Sequence, residues 1–224
     1  MRIFIRVDSG TILTKQFDHR AIGLINSHEI LDETLYRCSS SDGGIMIIIL
    51  TGASHTGKTL LSQRMMEKYK IPYISIDHLK MGLIRSGNTS LTPNDDEEMT
   101  TYIWPIVREM IKTAIENKQS LIVEGCYIPY EWRKDFSEEY LKNIRFICLV
   151  MTDKYIDAHF DEIRNHASDI EKRIDDSDLS SDWIKAINKR FMEGFKEAGE
   201  KIDLIDTNYE QTLEKSLMNF SKFY

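Results

Sequence analysis

The stretch "IMIIILTGASHTGKT", residues 45–59, decides the reading of this chain. Its first half is an unbroken apolar run that closes on Gly52, the pattern of a strand buried on both faces of a parallel sheet. Its second half fills the pattern G-x-x-x-x-G-K-[ST] with Gly52, Gly57, Lys58 and Thr59. Glycines there let the backbone curl until successive N–H groups point at one anion. A helix opening near Lys58 adds the positive end of its dipole. The spacing therefore predicts a phosphate-binding loop made by Gly52, Ala53, Ser54, His55, Thr56, Gly57, Lys58 and Thr59. Lys58 is expected to reach the outer phosphates and the Thr59 hydroxyl to ligate magnesium. His55 sits where the backbone does the binding, so its ring is assigned no catalytic role.

Outward from the loop, short β-branched runs alternate with helical patterns. "TLLSQRMMEKY" (59–69) places Leu61, Met65 and Tyr69 on one helical face. "IPYISID" (71–77), "SLIVEG" (120–125), "IRFICLVMT" (144–152) and the weaker "KIDLIDT" (201–207) read as further strands. Between them, "LTPNDDEE" (91–98) announces a helix with Thr92 as N-cap and Pro93 in the first turn. That helix is expected to run to about Asn117 with a kink at Pro105. Strands alternating with helices mean a parallel sheet with right-handed crossovers, an α/β fold.

Ahead of this pattern, "CSSSDGG" (38–44) reads as a linker, so residues 1–45 form an N-terminal extension and residues 46–224 the main domain. The extension is either an upstream stretch from a misassigned start or an appendage on a sheet edge. In it, "RIFIRV" alternates like a short strand and "HEILDETLYR" is patterned as a helical piece.

Bulk properties narrow the classes. The chain has 224 residues and a net charge of −7, with 42% hydrophobic and 29% charged residues. An acidic balance argues against a broad nucleic-acid footprint, which needs basic surface to displace counterions. The longest apolar run is far too short to span a bilayer. "MRIFIRVDSG" is broken by Arg6 and Asp8, so it does not read as a signal peptide. Cys38, Cys126 and Cys148 are an odd set without metal-like spacing, which suits a reducing cytoplasm. The partners expected are a small molecule, no nucleic acid and no membrane, with the protein a monomer or weak homodimer.

Where the phosphate goes depends on a few further residues. Asp77 falls at the carboxyl end of the second strand, the edge where ligands bind in open α/β sheets, and can accept a proton from an acceptor hydroxyl. It also suits a helix N-cap. Glu124 closes the third strand and is expected to hold magnesium or its water. On the acceptor side stand Arg85, Tyr127 and Arg133, the last two within "EGCYIPYEWR" (124–133). The polar stretch at about 153–190 carries Arg164, Arg173 and Arg190 and reads as a helical lid that presents arginines to a transferring phosphoryl group. Arg164 and Arg173 are its catalytic candidates, beside Lys58 and Asp77.

The order of phosphate loop, "SID", "VEG", arginine-bearing lid and final "DLIDTNYEQTLEKSL" resembles the nucleoside-monophosphate-kinase-like P-loop phosphotransferases. It is most similar to the branch holding zeta toxins, chloramphenicol phosphotransferase-like enzymes and proteins labelled 2-phosphoglycerate kinase or adenylate kinase. The resemblance covers about residues 46–220. It implies a three-layer P-loop NTPase fold with a five-stranded parallel sheet in the order 2-3-1-4-5. It also implies transfer of the ATP γ-phosphoryl group, with Mg2+, to a small hydroxyl or phosphate acceptor facing Asp77. The loop after the last strand, Asp206, Thr207 and Asn208, would then cradle adenine, and Thr207 is the contact named. Two alternatives stay open: a nucleoside monophosphate kinase, and an ATP-binding switch protein without a small-molecule acceptor. A guanine-specific N-K-x-D motif is absent from the sequence, since "NKQS" and "NKRF" lack the acid.

Overall fold

The computed structural model describes residues 2–6, 12–16, 44–166 and 179–218. The chain divides into two compact units, Met1–Asp42 and Gly43–Tyr224. In the first, β1 (Arg2–Arg6) and β2 (Ile12–Gln16) form an antiparallel pair, Arg2 opposite Gln16 and Arg6 opposite Ile12. The alternation of "RIFIRV" is thus a strand; "HEILDETLYR" and Cys38 lie outside the described residues.

The second unit is built on β3 (Ile47–Gly52), whose six residues are all buried. Its side chains alternate between two cores. Ile47 and Ile49 join one apolar cluster with Met99, Ile103, Val107 and Trp132. Ile48 and Leu50 join another with Leu61, Met65, Ile184 and Leu213. A strand with two apolar faces must lie between two helical layers, because either face alone in water would cost more than its burial gains.

The helices are α1 (Lys58–Tyr69), α2 (Ile76–Arg85), α3 (Asp96–Glu116), α4 (Glu138–Leu141), α5 (Asp153–Asn165), α6 (Ser181–Glu197) and α7 (Tyr209–Met218). The remaining strands are β4 (Tyr73–Ser75), β5 (Leu121–Glu124), β6 (Ile144–Met151) and β7 (Asp203–Ile205). The sheet runs β4-β5-β3-β6-β7 with every pairing parallel. Counted within the unit this is the order 2-3-1-4-5 of the P-loop NTPases, and helices cover both faces in three α/β/α layers.

Two local features differ from the sequence expectation. The second strand stops at Ser75, and Ile76 already belongs to α2, so Asp77 lies in the first turn of a helix rather than at its cap. Pairing on one side only and an early helix start shorten this edge strand. The helix expected from Thr92 begins at Asp96. Instead of capping it, the Thr92 N–H and hydroxyl donate to the Asp95 carboxylate at 2.7 and 2.8 Å, closing a turn around Pro93. Pro105 lies inside α3, which continues through it to Glu116. Its exposed position leaves the carbonyl it cannot satisfy to water.

The expected lid divides in the same way. Helix α5 has one non-helical residue, His159, at φ −126°, ψ 19°. Helix α6, which begins within that stretch, buries Ile184, Asn188, Phe191 and Phe195. Asn188 is fixed there because its Oδ1 accepts from the Met151 N–H at 2.7 Å, at the end of β6. Among the described residues no helix is long and apolar enough to cross a membrane.

Candidate active site

Parallel pairing places the carboxyl ends of β3, β4 and β5 at one edge: Leu50 is level with Glu124, and Glu124 with Ser75. The loop 52–57, Glu124 and the start of α2 therefore converge although they are far apart in sequence.

The loop itself needs its glycines. Gly52 has φ +144°, and a Cβ there would stand 2.1 Å from the Leu149 carbonyl oxygen on β6. Gly57 takes the N-cap place of α1 with φ +82°. No side chain caps α1 and no acid sits in its first turn. The positive end of the α1 dipole thus has no carboxylate of its own first turn against it, whereas α3 carries Asp96, Glu97 and Glu98 in its own first turn. His55 also has positive φ, +67°.

Side chains complete the cradle. The Thr56 hydroxyl and the Lys58 ammonium both donate to the Ala53 carbonyl at 2.9 Å. An ammonium carries three protons, so this bond does not exhaust it. Burial alone would depress the Lys58 ammonium, but the Cys126 sulfur and the Glu124 and Asp77 carboxylates outweigh it and hold the group above the ordinary lysine value. Burial in turn pushes the Cys126 thiol up, against the pull of the Lys58 ammonium.

The Thr59 hydroxyl donates to Glu124 Oε1 at 3.2 Å. The two residues expected at magnesium therefore meet, and Glu124 is 1% exposed. Hydroxyl and carboxylate oxygens are the hard donors magnesium prefers. Among the described residues no group of three or more His, Cys, Asp or Glu side chains forms a metal cluster.

Asp77 faces the same edge and pairs with Lys80, one helical turn along α2, at 3.5 Å. Lys80 in turn donates to the Tyr127 hydroxyl, and that hydroxyl donates to Asp96 Oδ1 at 2.9 Å. Burial, with Asp77 and Asp96 nearby, holds the Tyr127 phenol in its protonated form well above the ordinary value. Tyr127 is thus a buried strut between α2 and α3. Lys80 and Asp96 are site residues that the sequence reading passed over. The i,i+3 spacing of Asp77 and Lys80 was a signal available for the first; nothing local pointed to the second.

The other candidates fall elsewhere. Arg85 is the exposed last residue of α2. Arg133 forms a two-point ion pair with Glu200, whose side chain is only 5% exposed, and lies over the Trp132 ring at 4.6 Å. Arg164 pairs with Asp161 at 3.2 Å on the exposed end of α5. Arg190 approaches Glu97 at 3.9 Å. Arg173 lies outside the described residues. Thr207 is exposed; its neighbour Asp206 accepts from the Thr152 hydroxyl at 3.0 Å, and Asn208 accepts from the Gln211 N–H at 2.9 Å. Immediately beyond, Tyr209 packs on the phosphate loop, its hydroxyl against Gly57. Tyr209 and Trp183, whose ring lies edge-on to His55 with centroids 6.3 Å apart, had no signature in the sequence.

No protein-family model matches the chain, and the search of curated proteins finds no match. Among solved structures it is similar to a gluconokinase from Sinorhizobium meliloti 1021, with TM-score 0.47 and 14% identity over 81% of this chain and 93% of that one. It is also similar to shikimate kinase from Bacteroides thetaiotaomicron, with TM-score 0.47 and 17% identity over 79% and 97% of the two chains. A deoxyadenosine kinase from M. mycoides gives TM-score 0.47 and 13% identity over 79% and 100%. Likeness at this level transfers no activity.

Proposed function

We propose that the chain is an ATP-dependent phosphotransferase that moves the γ-phosphoryl group of Mg-ATP to a small-molecule hydroxyl or phosphate acceptor. One observation carries this reading: the Thr59 hydroxyl, directly behind the phosphate loop, meets the buried Glu124 carboxylate at 3.2 Å. A buried carboxylate is kept where cations and donors surround it, as the Lys58 ammonium and the Thr59 hydroxyl do here. A magnesium ion beside a phosphate loop is a further such cation.

When bound, Mg-ATP supplies an activated phosphoryl group whose charge spreads over its outer oxygens during in-line transfer. The N–H groups of residues 52–59 and the Lys58 ammonium hold that charge with dipoles already oriented. Thr59 and Glu124 supply the protein oxygens for the metal. Asp77 orients the acceptor hydroxyl and takes its proton as the oxygen attacks; Lys80 holds the carboxylate in place. Arg164 and Arg173 are the arginines this reading assigns to the transferring phosphoryl group, and Thr207 the contact it assigns to adenine. Arg85 remains the acceptor-side cation it favours, whereas Tyr127 and Arg133 support the wall rather than touch the acceptor.

The test is ADP release from Mg-ATP against a panel of acceptors, wild type beside Asp77→Asn. Nucleoside monophosphates, phosphoglycerates, sugars, nucleotide sugars and aromatic hydroxyl compounds make up the panel. One stimulating acceptor, with turnover lost and ATP binding kept in Asp77→Asn, is the expected result. Tight ATP binding without stimulation by any acceptor would instead support a nucleotide-gated switch.

A further inference from the structure

Of the three tryptophans, Trp104 and Trp132 are buried at 4% and 0% exposure in one core, while Trp183 is 45% exposed. A solvent-facing indole contributes little to folding, so its place calls for a reason. Trp183 stands in the first turn of α6, where the Ser180 hydroxyl accepts from its backbone N–H at 3.2 Å. The neighbouring Ile184 is fully packed into the core on the α1 side, and Lys185 pairs with Asp157 of α5. The platform beneath Trp183 is therefore fixed on both sides. From it the indole meets the ring of His55 at an interplanar angle of 85°. His55 lies in the middle of the phosphate loop, between Ser54 and Thr56, with its backbone turned to positive φ. The indole thus stands against the ring of His55, the residue at the middle of that loop.

The geometry points to Trp183 as a positioning residue that contacts the triphosphate of a bound nucleotide through the face it shares with His55, and keeps bulk water from the terminal phosphoryl group. This rests on the nucleotide reading above. An apolar ring at that place excludes water without offering a nucleophile, and its N–H can donate to a phosphate oxygen. The role differs from that of Lys58 or Asp77: removing the ring should leave transfer chemistry in place while raising wasteful hydrolysis.

Two measurements on the full chain test this. Tryptophan emission is recorded during titration with Mg-ATP and, separately, with inorganic tripolyphosphate, with binding followed independently by calorimetry. Both ligands are expected to shift or quench the wild-type signal, and Trp183→Phe to abolish the change, since Trp104 and Trp132 are buried in the other core. Acceptor-free phosphate release from Mg-ATP is expected to rise roughly three- to tenfold in Trp183→Ala and return to the wild-type rate in Trp183→Phe. A merely structural role would lower activity and would not raise hydrolysis. Calorimetric binding with unchanged wild-type emission, or hydrolysis unaltered in Trp183→Ala, overturns the inference alone. Absence of Mg-ATP binding by calorimetry overturns the nucleotide reading and this inference with it.

Discussion

The hydroxyl oxygen of Tyr209 lies only 1.8 Å from where a Cβ on Gly57 would stand. The last helix thereby rests its first side chain on the turn that opens α1. Arg64 holds the two helices together through a two-point pair with Glu210, at 2.6 and 3.2 Å, and the Tyr69 hydroxyl donates to the Leu217 carbonyl.

Gly57→Ala meets two obstacles, the Tyr209 oxygen and a backbone at φ +82°. A left-handed alanine costs about 1–2 kcal/mol by itself. Nucleotide binding measured by calorimetry should be lost in Gly57→Ala. Adding Tyr209→Ala should restore part of the stability but not the binding, because the backbone strain remains.

Glu124→Gln keeps the shape of a buried side chain and its contact with Thr59 but removes the negative charge. Magnesium titrations of ATP binding should show a higher metal requirement in this variant, with metal-free binding little changed. Chelation with EDTA should weaken ATP binding in the wild type more than in Glu124→Gln. Equal EDTA sensitivity in both would place the metal away from Glu124.

Arg133 and Glu200 form a structural pair in the present reading. Arg133→Ala leaves the Glu200 carboxylate buried without its partner, at a cost of about 1–3 kcal/mol in urea unfolding. Arg133→Lys should recover only part, since an ammonium cannot reproduce the two-point contact. ATP affinity should be unchanged in both. A selective loss of acceptor affinity without loss of stability would return Arg133 to the acceptor site.

Burial raises the Tyr209 phenol from 10.0 to about 12, with Glu210 adding to the effect. Between those values the folded chain keeps a proton that the unfolded chain has released, so stability falls as pH rises. The contribution is complete below about pH 10 and gone above about pH 12. Urea midpoints measured across this window should decline less steeply in Tyr209→Phe than in the wild type.

The sequence by itself determined everything that local pattern and backbone chemistry can carry. The apolar run before Gly52 required a strand buried on both faces, and the glycines that follow required a tight loop with backbone at positive φ, because these depend on residues adjacent in the chain. Glu124 was placed at a strand end for the same reason, and in a parallel sheet strand ends share an edge, but Asp77, read as closing a strand, lies in the first turn of α2. Only the tertiary structure decided what these groups touch. Thr59 meets Glu124 across 65 positions, Arg133 finds Glu200 across 67, and Tyr209 reaches Gly57 from the last helix. Such pairings follow from sheet register and from the reach of side chains between layers, neither of which leaves a periodic trace. Hence Arg133 and Tyr127, read as acceptor residues from their place after Glu124, are held by Glu200 and by Lys80 with Asp96. Trp183, one residue before the buried Ile184, stands over the loop because α6 packs where it does.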